Sequence, residues 1–118
     1  MTAKTKTGPR VRMYPSGDYA EIGTERWEIE THIVPKHWDT MTEAERDEKA
    51  TYDHMPCIVE FATTLEAARI AAKAMYHRER LAYGAVTIQR QVAEWMDAPY
   101  RVGEWVNVGE TEYEDGEA

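Results

Sequence analysis

At 118 residues the chain has the size of one domain and needs neither a disulfide nor a metal to bury a core. Its 22 acidic and 14 basic side chains give a net charge of −8, which disfavours direct binding to DNA or RNA, because phosphate binding draws on an excess of Lys and Arg. No apolar run reaches the roughly 18 residues of a membrane span, no secretory signal is evident, and the single cysteine, Cys57, suits a reducing compartment, so a cytoplasmic protein with no disulfide is expected.

Residues 1–9 read as a flexible basic lead into one α+β domain spanning 1–109. Arg10-Val-Arg-Met-Tyr14 alternates polar and apolar side chains, Pro15-Ser16-Gly17 supplies a turn, and Asp18 to Ile22 returns as a hairpin partner. Trp27 to Val34 alternates again. Trp27, Ile29, Thr31 and Ile33 point one way, and Glu28, Glu30 and His32 the other, as in a strand with one wet face.

Thr40 with Glu43 and Thr42 with Glu45 form overlapping capping boxes that predict a short helix over about 42–52. Pro56 precedes a strand, Cys57-Ile-Val-Glu-Phe61, in which Cys57, Val59 and Phe61 read as the core face. Thr63 with Glu66 then opens an alanine-rich helix. Its polar stripe, Glu66, Arg69, Lys73, His77 and Arg80, predicts packing around most of its circumference, with Gly84 as its C-terminal cap.

From Ala85 to Trp95 alternation returns, with Val86, Ile88 and Val92 inward and Thr87, Gln89 and Gln91 toward water. Arg90 breaks the inward series, as a bulge, an edge or a buried charge pair would. A final hairpin strand over 102–108 precedes an acidic tail, 110–118, expected to be flexible. The order β-β-β-α-β-α-β-β predicts an antiparallel sheet of five or six strands, with one long amphipathic helix packed on it and a short second helix.

Catalytic motifs are absent. Ser16 is the one serine and sits in a turn without a Gly-x-Ser-x-Gly context. Gly-x-Gly and Gly-Lys-Thr phosphate loops do not occur, and no cofactor is expected. The best metal candidates are His32, His37, His54 and Cys57, with Asp39 and Asp53 nearby. Imidazole and thiolate are zinc ligands, but these spacings match no zinc motif, and loop histidines with a core cysteine are the plainer reading.

Two surface features remain: a basic stripe, Arg69, Lys73, His77 and Arg80 with Arg78 alongside, which reads as the solvent face of an amphipathic helix, and an acidic one. Glu28 and Glu30 project from one strand face about 7 Å apart, a pitch comparable to that of phosphates along a DNA strand. Glu43, Glu45, Asp47 and Glu48 add charge on the first helix. Such carboxylates can occupy a basic nucleic-acid-binding groove, whereas an ordinary solvated acidic face is the commoner alternative. Trp38 lies in a loop where a core role is hard to arrange, which suits an interface anchor. Trp95 and Trp105 flank a turn and suit a cross-strand pair.

The run Phe61-Ala-Thr-Thr-Leu-Glu-Ala-Ala-Arg-Ile-Ala-Ala, a strand leading into a capped alanine-rich helix and then a hairpin, resembles small phage and prophage proteins, including acidic anti-CRISPR inhibitors. The resemblance covers about residues 56–108 and assigns no functional residue. It implies an inhibitor of a host defence complex. The leading expectation is therefore a non-enzymatic module whose Glu28, Glu30, Trp38, Glu43, Glu45, Asp47 and Glu48 meet a protein with a basic surface. The alternatives are a metal-binding protein or hydrolase built on His32, His37, His54 and Cys57, and an oligomer, such as a homodimer, that binds a small ligand between subunits through Arg90, Arg101 and the aromatic residues.

Overall fold

The computed structural model describes residues 9–34, 37–49, 57–81, 85–96 and 101–116. Its elements are β1 (Arg10–Tyr14), β2 (Tyr19–Glu21), β3 (Glu25–His32), α1 (Glu43–Lys49), β4 (Cys57–Ala62), α2 (Leu65–Arg78), β5 (Val86–Trp95), β6 (Gly103–Asn107) and β7 (Glu112–Glu114). A 3-10 turn over Trp38–Thr40 precedes α1. The α+β class holds, and the expected element order holds through β6; β7 is a seventh strand beyond the five or six expected. Gly84 and the 97–100 turn lie outside the described residues.

The sheet runs β2-β1-β6-β5-β3-β4, with β7 paired to the end of β5 beyond β6. It is mixed. All pairings are antiparallel except that of β1 with β6, which aligns Met13 with Gly103 and Tyr14 with Glu104 in parallel. An all-antiparallel sheet follows from short connections, but β1 and β6 come from opposite ends of the chain and meet through packing. The expected flexible tail is also corrected. Glu112–Glu114 pairs with Val86–Ile88, and Arg69 of α2 grips Glu112 at 2.6 and 3.0 Å.

Alternation along β3 and β5 divides the sheet into two faces. α2 covers the first, where Ile29, Ala68, Ala72, Met75, Val86 and Ile88 form the main core, with Trp27, Ile58, Ala62 and Leu65 against it. The helix is 14 residues long, about 21 Å. It starts at Thr64, whose hydroxyl accepts from the Ala67 N–H at 3.1 Å, one residue later than the predicted Thr63 cap. Its packing is narrower than expected: Ala68, Ala72 and Met75 are its buried residues, and Ile70 is 67% exposed.

A smaller core lies on the other face. Val11 and Met13 of β1 rest on Ala93, flanked by Ala20, Ile22 and Trp105. Gly103 makes this approach fit, because a Cβ there would stand 2.8 Å from the Met13 sulfur and 3.1 Å from the Glu94 carbonyl oxygen.

The predicted Thr42–Glu45 box is present. The Glu45 carboxylate accepts from the Thr42 N–H at 2.8 Å, and the Thr42 hydroxyl from the Glu45 N–H at 3.2 Å. Thr40 makes no box with Glu43; its hydroxyl donates to the His37 carbonyl at 2.9 Å. α1 buries no residue.

Candidate interaction surface

The site grows from the phase of β3. Ile29 and Thr31 go into the interior, so Arg26, Glu28, Glu30 and His32 stand on the opposite face, which α2 leaves uncovered. β4 pairs antiparallel with β3 and sets Phe61 beside Glu28, Val59 beside Glu30 and Cys57 beside His32. The predicted burial of Cys57, Val59 and Phe61 is thus reversed: all three are exposed, and Ile58 and Ala62 face the core instead. Glu60 is tolerated on the helix side because Arg78 of α2 reaches it at 3.1 Å.

On the other flank of β3, β5 brings Gln91 opposite Arg26, Gln89 opposite Glu28 and Thr87 opposite Glu30. Gln89 and Gln91 were expected to face water, yet they are 9% and 7% exposed. Hydrogen bonding makes that burial tolerable. The Gln89 carboxamide oxygen accepts from the Thr111 hydroxyl at 2.6 Å, and its nitrogen donates to the Val108 carbonyl at 3.1 Å. Gln91 donates to Asn107 at 2.9 Å and accepts from the Arg26 Nε at 2.8 Å.

Arg26 closes one end of the face. Its guanidinium lies 3.8 Å from the Phe61 ring centre and 4.0 Å from that of Trp105, a cation held between two aromatic rings. Burial pulls its pKa down, against the pull of Glu28 and Asp18. Arg10, Tyr19 and Glu21 of the β1–β2 hairpin face this group across an open cleft of about 380 Å³.

Beyond Arg26 the face turns acidic. Burial, and then the neighbouring Glu30 charge, hold the Glu28 carboxyl above its ordinary value, while Arg26 opposes them. The Cys57 thiol donates to Glu30 Oε2 at 3.1 Å. Burial, this hydrogen bond and the charges of Glu30 and Glu28 push the thiol to about 11.

The candidate carboxylates therefore fall into two groups. Glu28 and Glu30 share the sheet face, and Glu43, Glu45, Asp47 and Glu48 are exposed around α1. Arginines neutralise other acids: Arg69 takes Glu112, Arg78 takes Glu60 and Glu79, Arg80 takes Asp39, and Arg90 takes Glu25. None of these ion pairs includes a candidate carboxylate. The Arg90–Glu25 pair explains the break in the β5 pattern, although both side chains are about two-fifths exposed rather than buried.

Trp38 is half-buried rather than free, since Arg46 lies 5.4 Å from its ring centre and donates to its carbonyl at 3.0 Å. Trp95 opposes Gly103 and Trp105 opposes Ala93, so the two tryptophans are not direct partners. Among the metal candidates, His32 and Cys57 meet across β3 and β4, His37 is outside their cluster, and His54 lies outside the described residues. The roles of Arg26, Phe61 and Glu30 at this surface depend on strand register, which no local motif announces.

No family model, curated protein or solved structure matches this chain. Among the described residues, no helix is long and apolar enough to cross a membrane.

Proposed function

We propose that this chain is a non-enzymatic, cytoplasmic interaction module whose open sheet face docks on a basic, nucleic-acid-binding surface of another protein, as an inhibitor of a host defence complex would. The observation that carries this reading is Glu28 and Glu30 standing together, half-buried, on the face that α2 does not cover, outside the arginine pairs that neutralise acids elsewhere. Holding two like charges side by side at half-burial costs stability, and a cationic partner converts that cost into attraction.

Exposed apolar groups border the carboxylates. Val59 is 41%, Phe61 51% and Tyr113 66% exposed, and such groups supply the contact area that charge alone lacks. The α1 carboxylates Glu43, Glu45, Asp47 and Glu48 form a second, separate acidic group near Trp38. DNA competes for the same partner groove in this reading and does not itself bind the chain.

Calorimetric titration against a panel of basic DNA-binding proteins, with and without duplex DNA as competitor, tests the proposal. A partner should bind the wild-type chain, be released by DNA and lose affinity for the Glu28→Gln/Glu30→Gln variant. Binding that survives both the double substitution and the DNA competitor would contradict it.

A further inference from the structure

At the other end of the same face from Arg26, three side chains of different chemistry converge. His32 of β3 and Cys57 of β4 are direct cross-strand partners, and Glu30 is the next residue on that side of β3. One donor atom from each of Glu30, His32 and Cys57 lies within 4.8 Å of the other two. We propose that this trio is a binding site for a divalent zinc-like cation, with thiolate, imidazole and carboxylate as its three protein ligands.

The geometry is close to what the ion requires. Bonds of about 2.0 Å to nitrogen and oxygen and 2.3 Å to sulfur place tetrahedral donors roughly 3.3–3.6 Å apart. Cys57 Sγ already stands 3.1 Å from Glu30 Oε2, close to that spacing, and the His32 donor lies within 4.8 Å of both. The strand pairing fixes the donors' relative placement. The Thr87 hydroxyl donates to the Glu30 carbonyl at 3.2 Å and ties β5 to the same point.

A cavity of about 250 Å³ opens on the β5 side of Glu30 and His32, lined also by Thr31, Ala85, Thr87 and Tyr113. It leaves room for a fourth ligand from solvent. The donor set selects the metal class. Thiolate with imidazole suits zinc and its analogues, whereas magnesium and calcium prefer all-oxygen sites. On binding, the Cys57 S–H bond breaks as the sulfur–metal bond forms, and the proton leaves to solvent.

This site is independent of the docking reading, and its test contains no partner protein. Chelator-treated chain is titrated with Co²⁺ alone, and Zn²⁺ is then added in competition. One Co²⁺ per chain should bind with a near-ultraviolet thiolate-to-cobalt charge-transfer band, and Zn²⁺ should abolish that band. Cys57→Ser and Glu30→Gln, checked for folding by circular dichroism, should each weaken zinc binding by at least about tenfold, while His37→Ala leaves it unchanged. Absence of the charge-transfer band in the wild-type chain, or equal zinc affinity in folded Cys57→Ser, would overturn the assignment.

Discussion

Glu28 and Glu30 leave the same side of β3, with the fully buried Ile29 pointing the opposite way between them. The strand that anchors the main core thus presents Glu28 and Glu30 together on the face that α2 does not cover, and they cannot separate without breaking the register of β3 with β4 and β5.

That constraint has a sign. Burial and Glu30 raise the Glu28 carboxyl above its ordinary value, so its contribution favours the native state below the unfolded-state pKa. The contribution is lost as pH rises through the folded-state value. Glu28→Gln should therefore stabilise the protein at neutral pH, by only a few tenths of a kcal/mol because a half-exposed site is screened by water. Urea unfolding at about pH 7 and pH 4 checks this, and the gap between variant and wild type should shrink at the lower pH.

The two sides of α2 should respond differently to truncation. Met75 is fully buried between the helix and the sheet, whereas Ile70 is 67% exposed. Met75→Ala should cost about 2–5 kcal/mol through the cavity it leaves, and Ile70→Ala should stay within about 0.5 kcal/mol. Equal costs would mean that the helix packs around most of its girth.

That contrast shows where the sequence is legible. Alternation in β3, the Pro15-Ser16-Gly17 turn and the Thr42–Glu45 box are local signals, and each corresponds to the observed element. Alanine tolerates burial and exposure alike, so Ala67 and Ala74 widen the apparent apolar surface of α2 although both are exposed. In β4 five of six residues are apolar, which leaves its phase ambiguous, and the one polar residue misleads because Arg78 makes Glu60 acceptable on the helix side. The parallel β1–β6 pairing and the docking of β7 depend on distant partners. The site was half legible for the same reason: the pitch of Glu28 and Glu30 is local, whereas the Glu30–Cys57 contact exists only once β3 and β4 are paired.

The approach of β1 to β6 rests on Gly103. An added methyl there would press on the Met13 sulfur and the Glu94 carbonyl oxygen, and backbone cannot yield as a side chain can. Gly103→Ala should destabilise by about 1–3 kcal/mol, measured by chemical denaturation. A neutral result would show that the β1–β2 hairpin is not seated on β6.

Thiol reactivity reports on the Glu30–Cys57 contact. In metal-free protein the thiol stands near 11, so alkylation should be slow at neutral pH despite exposure and should rise about tenfold per pH unit up to that value. Glu30→Gln removes one charge and should accelerate alkylation at pH 8. Unchanged rates in the variant would show that the carboxylate does not govern the thiol.

Docking requires that the carboxylates of the open face attract a cationic partner. The most direct measurement is the affinity for a bound basic partner across roughly 50–300 mM salt, for the wild-type chain and the Glu28→Gln/Glu30→Gln variant, since exposed charges are screened over about 8–10 Å near physiological ionic strength. The wild-type affinity should fall by about tenfold or more, with the loss concentrated in the association rate, and the variant should bind weakly with a much flatter dependence. Identical salt dependence in the two proteins would contradict the proposed docking face.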